Sequence, residues 1–91
     1  MPQSVHHQPQ ANRFVIDADG QQAVLDYQLQ GQRMVITHTG VPALLRGRGL
    51  AEALTRAALA HAQDQGLKVT PACSYAASFL ERHAEYAALV K

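Results

Sequence analysis

Between Val41 and Ala51 the sequence reads VPALLRGRGLA, and this stretch restricts the fold more than any other. A β-branched run ends at Pro42, which has no N–H to give to a sheet and holds Val41 in extended geometry. An Ala-rich segment with helical spacing then begins at Leu50 and runs to about Gln65. Its RGRG entrance offers no Ser, Thr, Asp or Asn, so the first N–H groups of the helix lack an evident side-chain cap. Gly47 and Gly49 keep Cβ atoms away from the backbone, the helix dipole favours an anion, and Arg46 and Arg48 add positive charge. Arg46, Gly47, Arg48, Gly49, Leu50 and Ala51 therefore form a candidate socket for a phosphate or pyrophosphate. The plainer alternative is a glycine-rich connection with a solvated basic pair.

The flanking text supplies a sheet for that socket. Arg13–Ala18 alternates, with Phe14 and Ile16 on one face and Val15 and Asp17 on the other, and Asp19-Gly20 signals a hairpin turn. From Gln22 to Gln30, Ala23, Leu25, Tyr27 and Leu29 share one face, which predicts a strand buried on one side. Gly31 turns the chain into Arg33–Val41, rich in β-branched residues, completing a three-stranded antiparallel meander. Pro42 stops the ladder and predicts unpaired backbone groups at Thr39, Gly40 and Val41, which a ligand carrying amides would satisfy. The helix places Leu50, Leu54, Ala57, Ala58 and His61 on one stripe, and Gly66 ends it. Leu67–Ala72 is predicted to return beside the third strand in parallel, since a right-handed crossover is the favoured connection. Ser74 is the expected cap of a last helix, and Leu89 and Val90 are expected to dock. The fold class is thus α+β: a meander, a helix, a parallel fourth strand and a C-terminal helix.

Ninety-one residues suit one domain, read here as residues 13–91 behind a flexible tail of residues 1–12. The tail is rich in Gln, Pro and His, and His6 and His7 are expected to be incidental there. No HExxH, CxxC or EF-hand spacing is present, so no metal site is expected. The formal charge of +1 carries no bulk attraction to nucleic acid. An RNA-contacting reading of RGRG would need aromatic residues for stacking, and none lies between Leu44 and Arg56. A lone cysteine, Cys73, suits a reducing compartment, and neither a signal-peptide pattern nor a membrane-length apolar run occurs. A soluble cytoplasmic protein without membrane or nucleic-acid partners is expected.

Arg46, Gly49 and Ala51 fit the arrangement R/Q-x-x-G-x-G/A, the pyrophosphate-binding signature of the GNAT acetyltransferase superfamily. Together with THTGVP before it and LKVTPACSYAASFLERHAEY after it, the chain from about Arg13 to Val90 resembles the short GNAT-like proteins that contain little beyond an acetyl-CoA-binding core. The resemblance implies acetyl-CoA in a V-shaped opening between the strand before the socket and the strand after the helix. Its pyrophosphate would rest on Arg46–Ala51, and its pantetheine arm would take backbone hydrogen bonds from Thr39–Val41. Short relatives often carry an acidic residue where this chain has Gly40, in a His-Thr-Glu-Val-Pro pattern, and a carboxylate there is a natural acceptor for an amine proton.

Three side chains are then candidate catalytic groups. Cys73, between the last strand and the last helix, is either a small half-core thiol or an acetyl-accepting nucleophile. Tyr75 either packs its ring or protonates the departing CoA thiolate. His38 alternates with Met34 and Ile36, so it is expected on their apolar side, as a packed histidine or as the base. His61 and His83 are read as structural. The leading expectation is an acetyl-CoA-dependent N-acetyltransferase acting on a primary amine, on a small molecule or a protein, by a monomer or weak homodimer. The alternative is a CoA-binding module with little or no catalysis.

Overall fold

A computed structural model of the chain describes residues 4–90. Five strands form one sheet in sequence order: β1 (His6–Gln8), β2 (Arg13–Ala18), β3 (Gln21–Gln30), β4 (Arg33–Gly40) and β5 (Lys68–Pro71). The first four pair antiparallel and β5 joins β4 in parallel, as a strand reached through a crossover helix does. That helix is α1 (Leu50–Gln65); α2 (Ser74–Arg82) and the short α3 (Ala87–Val90) complete the chain. The α+β architecture expected from the sequence is the one observed.

Local chemistry accounts for the boundaries. Asp19 and Gly20 both take positive φ, the geometry that matches a two-residue hairpin to the twist of β2 and β3. At the end of α1, Gly66 takes φ 70°, and its N–H reaches the carbonyls of Ala62 and Gln63. The cap of α2 is Cys73, not Ser74: Cys73 is extended (φ −103°), and its thiol accepts the N–H of Ala76 at 3.4 Å. Ser74 is already the first helical residue, so its hydroxyl is one position too late for the role.

One core lies between the sheet and the helices. Phe14, Ile16, Ala23, Leu25, Tyr27, Met34, Ile36 and Val69 from the strands meet Leu50, Leu54, Ala58, Leu59 and Ala62 of α1 and Ala76 and Phe79 of α2. The Arg56 guanidinium lies over the Phe79 ring at 5.4 Å, so α1 and α2 sit side by side on the same face. Lys68 donates to the Ala88 carbonyl, holding α3 in place; Leu89 is buried, whereas Val90, expected to dock with it, is exposed. Among the described residues, no helix covers the other face of the sheet.

Three expectations are corrected. Residues 6–11 do not form a tail: β1 extends the sheet, and Pro9–Ala11 make a 3₁₀ turn into β2. The driving contact is His7, which stacks on Phe14 at 4.1 Å and hydrogen-bonds the Tyr27 hydroxyl at 2.6 Å. Residues 1–3 of the expected tail lie outside the described residues. Val15 faces away from the helices, as expected, and is buried there (1% exposed), flanked through β1 and β3 by His6 and Val24. Second, Leu29 is 52% exposed, since β2 pairs β3 only as far as Asp26 and leaves Leu29 without a neighbour on that side.

The third concerns β4. Asp26 pairs with His38 but Tyr27 pairs with Ile36, so Thr37 is an extra residue, a β-bulge, whose hydroxyl donates to the Asp26 carbonyl at 3.2 Å. One inserted residue reverses the alternation beyond it. His38 therefore shares a face with Asp26, on the helix-free side and exposed, not with Met34 and Ile36. Thr39, opposite Leu25, turns to the helix side in its place.

Candidate functional site

β4 and β5 stay together only from the Arg33–Lys68 pair to the Ile36–Pro71 pair. The Ile36 carbonyl then accepts the N–H groups of both Ala72 and Cys73, at 2.9 and 3.1 Å, and the chain leaves the sheet toward α2. From Thr37 to Gly40, β4 keeps β3 on one side and has no strand partner on the other. This is the V-shaped opening that the family resemblance implies, and its free edge arises because β5 leaves β4 after Ile36, not because Pro42 ends the strand. Thr39 and Cys73 span its apex, with Oγ1 and Sγ 3.7 Å apart.

Beyond the opening the chain makes a 3₁₀ turn at Ala43–Leu45, anchored by the buried Leu45, and enters the RGRG turn. Gly47 and Gly49 both take positive φ (83° and 76°), a region side chains rarely enter. Gly49 is the N-cap of α1, no side chain caps it, and its carbonyl accepts the first helical bond from Ala53. The N–H groups of Leu50, Ala51 and Glu52 thus precede the helical ladder, pointing out of the helix end with its positive dipole behind them. An open cavity of about 310 Å³ lies there, walled by Val41, Leu45, Arg46, Gly47, Gly49, Leu50, Ala51, Glu52 and Tyr75. A Cβ built on either glycine would meet no protein atom within 4 Å, so the space in front of the turn is free for a ligand. A bare helix start, two glycines and an arginine at one cavity fit a diphosphate.

The two arginines part company. Arg46 is in the cavity wall, where its Nε donates to the Val41 carbonyl at 3.3 Å, linking strand end to socket. Arg48 is not in that wall: it pairs with Asp19 of the β2–β3 turn at 2.7 Å, tying the RGRG turn to the hairpin. Glu52 enters the wall instead, with its carboxylate held by Arg56 at 2.9 Å. The sequence reading missed Glu52 as a wall residue. Its position in the first turn after Gly49 was the available signal.

The three candidate catalytic side chains do not form one cluster. Tyr75, at the start of α2, reaches the socket wall. Cys73 is half-buried on the helix side of the opening, occupied by Thr39 and by the Ala76 N–H. His38 lies across the plane of the sheet, and its ring leans over Gly40: a Cβ at residue 40 would stand 2.8 Å from Nε2. His61 is far from the opening, edge-on to His7 at 4.4 Å. His83 caps the end of α2 through Nδ1 and the Phe79 carbonyl at 2.8 Å and stacks on the Phe79 ring. Both histidines make packing contacts, and neither lines the cavity. Among the described residues, no three His, Cys, Asp or Glu side chains gather as metal ligands, and no helix is long and apolar enough to cross a membrane.

A sheet that splays next to a bare, glycine-edged helix start is the arrangement the GNAT resemblance implies, and comparison with known proteins agrees on the family. Residues 13–89 match the pattern of the GCN5-related N-acetyl-transferase family, and the chain belongs to that family. It is similar to Protein NATD1 of Mus musculus, 35% identical over 90% of this chain and 77% of that one, and to the Homo sapiens protein of the same name, 34% identical over 90% and 75%. Among solved structures it resembles a GCN5-like protein from Staphylococcus aureus determined in solution by NMR. The two are 30% identical, with a TM-score of 0.75 over 92% of this chain and 83% of that one.

Proposed function

We propose that this protein binds acetyl-CoA at the opening between β4 and β5 and transfers the acetyl group to a primary amine. The observation that carries the reading is the uncapped start of α1 behind Gly47 and Gly49, opening on a cavity that Arg46 lines. The diphosphate of CoA would rest on the N–H groups of Leu50 and Ala51 and face Arg46. The free edge of β4 from Thr37 to Gly40 would hydrogen-bond the amides of the pantetheine arm, as Val41 would once Arg46 released its carbonyl. An N–H on that edge is a donor for a carbonyl oxygen that gains charge during transfer. Most of the rate would come from such positioning and polarisation.

Tyr75, in the same wall, is the candidate donor of a proton to the leaving thiolate. Cys73 faces the same opening and is the candidate nucleophile of a two-step route. Against that route stands its occupation as the cap of α2. Replacing Cys73 with Ala and following acetyl transfer separates the two: unchanged turnover leaves direct attack by the amine. Tyr75→Phe is expected to slow turnover while acetyl-CoA still binds.

A second reading, a CoA-binding module without efficient catalysis, is favoured by one observation, the missing carboxylate at Gly40. Calorimetry with acetyl-CoA followed by a panel of amines decides. Binding with transfer to at least one amine supports the first reading; binding with transfer to none supports the module. No binding of CoA would overturn both.

A further inference from the structure

The bulge at Thr37 gives the opening two chemically different sides. Thr39, Cys73 and Tyr75 stand on the helix side, and His38 and Gly40 stand on the helix-free side, where Gly40 is opposite Val24 and His38 opposite Asp26. Gly40 takes no positive φ, so backbone geometry does not require glycine there. What the missing side chain permits is the position of His38: its Nε2 comes within 2.8 Å of where a Cβ would be, nearer than a real side chain allows. The imidazole thus fills the space of a residue-40 side chain, beside the stretch of β4 that β5 has left.

Its surroundings leave the ring available. Asp26, its cross-strand neighbour, is held by Arg13 through Nε and Nη2, and His38 is exposed with no side-chain hydrogen bond among the described residues. The neighbouring positions on this face are Val24 and Val15, both flanked by strands. Neither belongs to the core cluster that packs against the helices, so among the described residues this side of the opening has no helix over it.

We infer that His38 is the general base of the transfer, working through Nε2 from the place a side chain at residue 40 would occupy, and that the acceptor amine arrives over the helix-free face of the sheet. The inference rests on the acetyl-transfer reading above. The amine nitrogen attacks the thioester carbon from that face, forming the C–N bond as its proton passes to Nε2. The C–S bond then breaks, its electron pair leaves with the CoA sulfur, and that sulfur is protonated from the helix side by Tyr75 or water. Base and acid so placed do not compete for the same proton.

The test is the pH profile of kcat/KM for an accepted amine in wild type, His38→Gln, His38→Ala and the double variant His38→Ala with Gly40→Glu, with acetyl-CoA affinity measured for each by calorimetry. Loss of a positioned base is expected to lower the rate about 100-fold. His38→Gln and His38→Ala should both show that loss, without the acid limb of the profile, while binding acetyl-CoA as wild type does. The double variant should recover activity with its acid limb displaced to lower pH, since a carboxylate titrates below an imidazole. A His38→Gln protein within about threefold of wild type across the pH range, or a loss explained by weaker acetyl-CoA binding, overturns the inference and leaves acetyl transfer standing. A wild type that binds acetyl-CoA yet acetylates no amine overturns the transfer reading, and this inference with it. Val24→Arg probes the approach: the KM for the amine should rise about tenfold at unchanged acetyl-CoA affinity, and an unchanged KM would refute the assigned face.

Discussion

Gly49 and Gly66 both take left-handed φ, 76° and 70°, at opposite ends of α1, and a Cβ on either meets no protein atom within 4 Å. Alanine at either site therefore suffers the same backbone strain and no clash. For an L-residue in that region the penalty is about 1–2 kcal/mol. In a domain of this size each kcal/mol lowers Tm by roughly 4–8 °C. Gly49→Ala and Gly66→Ala should thus melt several degrees below wild type and close to one another. They should part on addition of CoA. The Gly49 methyl projects at the cavity wall, where it would hold a diphosphate away from the N–H groups of α1, whereas Gly66 lies at the far end. A hydrogen bond to a charged group contributes roughly 1.5–3 kcal/mol, so losing one weakens binding about tenfold or more. At a CoA concentration 100 times the wild-type Kd, binding stabilises wild type by about 2.7 kcal/mol; a tenfold weaker variant gains only about 1.4 kcal/mol. Thermal melting with and without CoA reads this directly. Equal CoA-induced shifts in the two variants would refute the assignment of the diphosphate to the Gly49 turn, because strain would then be the whole effect.

Other regions of the fold give further expected outcomes. Burial, and secondarily the neighbouring His61, pushes the His7 imidazole below its ordinary value, so the folded state gives up the proton more readily than the unfolded chain. The sign follows: this contribution is complete above the unfolded value of about 6.5 and is lost as pH falls below it. Wild type should lose more Tm between pH 7.5 and 5.5 than His7→Phe, which keeps the stack on Phe14 without a titrating group; parallel losses would remove His7 from the account. Because a thiol is a weaker cap acceptor than a hydroxyl, Cys73→Ser should be at least as stable as wild type in urea unfolding. Cys73→Ala should lose about 0.5 kcal/mol, at the low end of cap deletions, and a larger loss would show packing to dominate. Phe79→Ala deletes a buried ring that meets His83 and Arg56, and is expected to lose about 3–5 kcal/mol of unfolding free energy. A loss under about 1 kcal/mol would mean that α2 is not part of the main core.

Much of the architecture was legible because short-range rules fix it. Alternation set the inward faces of β2 and β3, Asp19-Gly20 set their hairpin, Pro42 ended β4 two residues before itself, and the uncapped RGRG turn marked the start of α1. Each depends on the chemistry of a few adjacent residues, which a sequence displays directly. What tertiary structure alone decided involves pairs distant in the chain. The bulge at Thr37 arises from how β4 registers against β3, and no local signal says which strand must take the extra residue; yet that one residue moved His38 to the opposite face. β1 exists because His7 finds Phe14, Tyr27 and His61, and Arg48 pairs with Asp19 and does not line the cavity because Asp19 folds within its reach. Sequence spacing thus determined that a bare, glycine-edged helix start stands beside an opening sheet. The side of that opening on which each reactive group stands was settled by strand register, a property of the assembled sheet and not of any single segment.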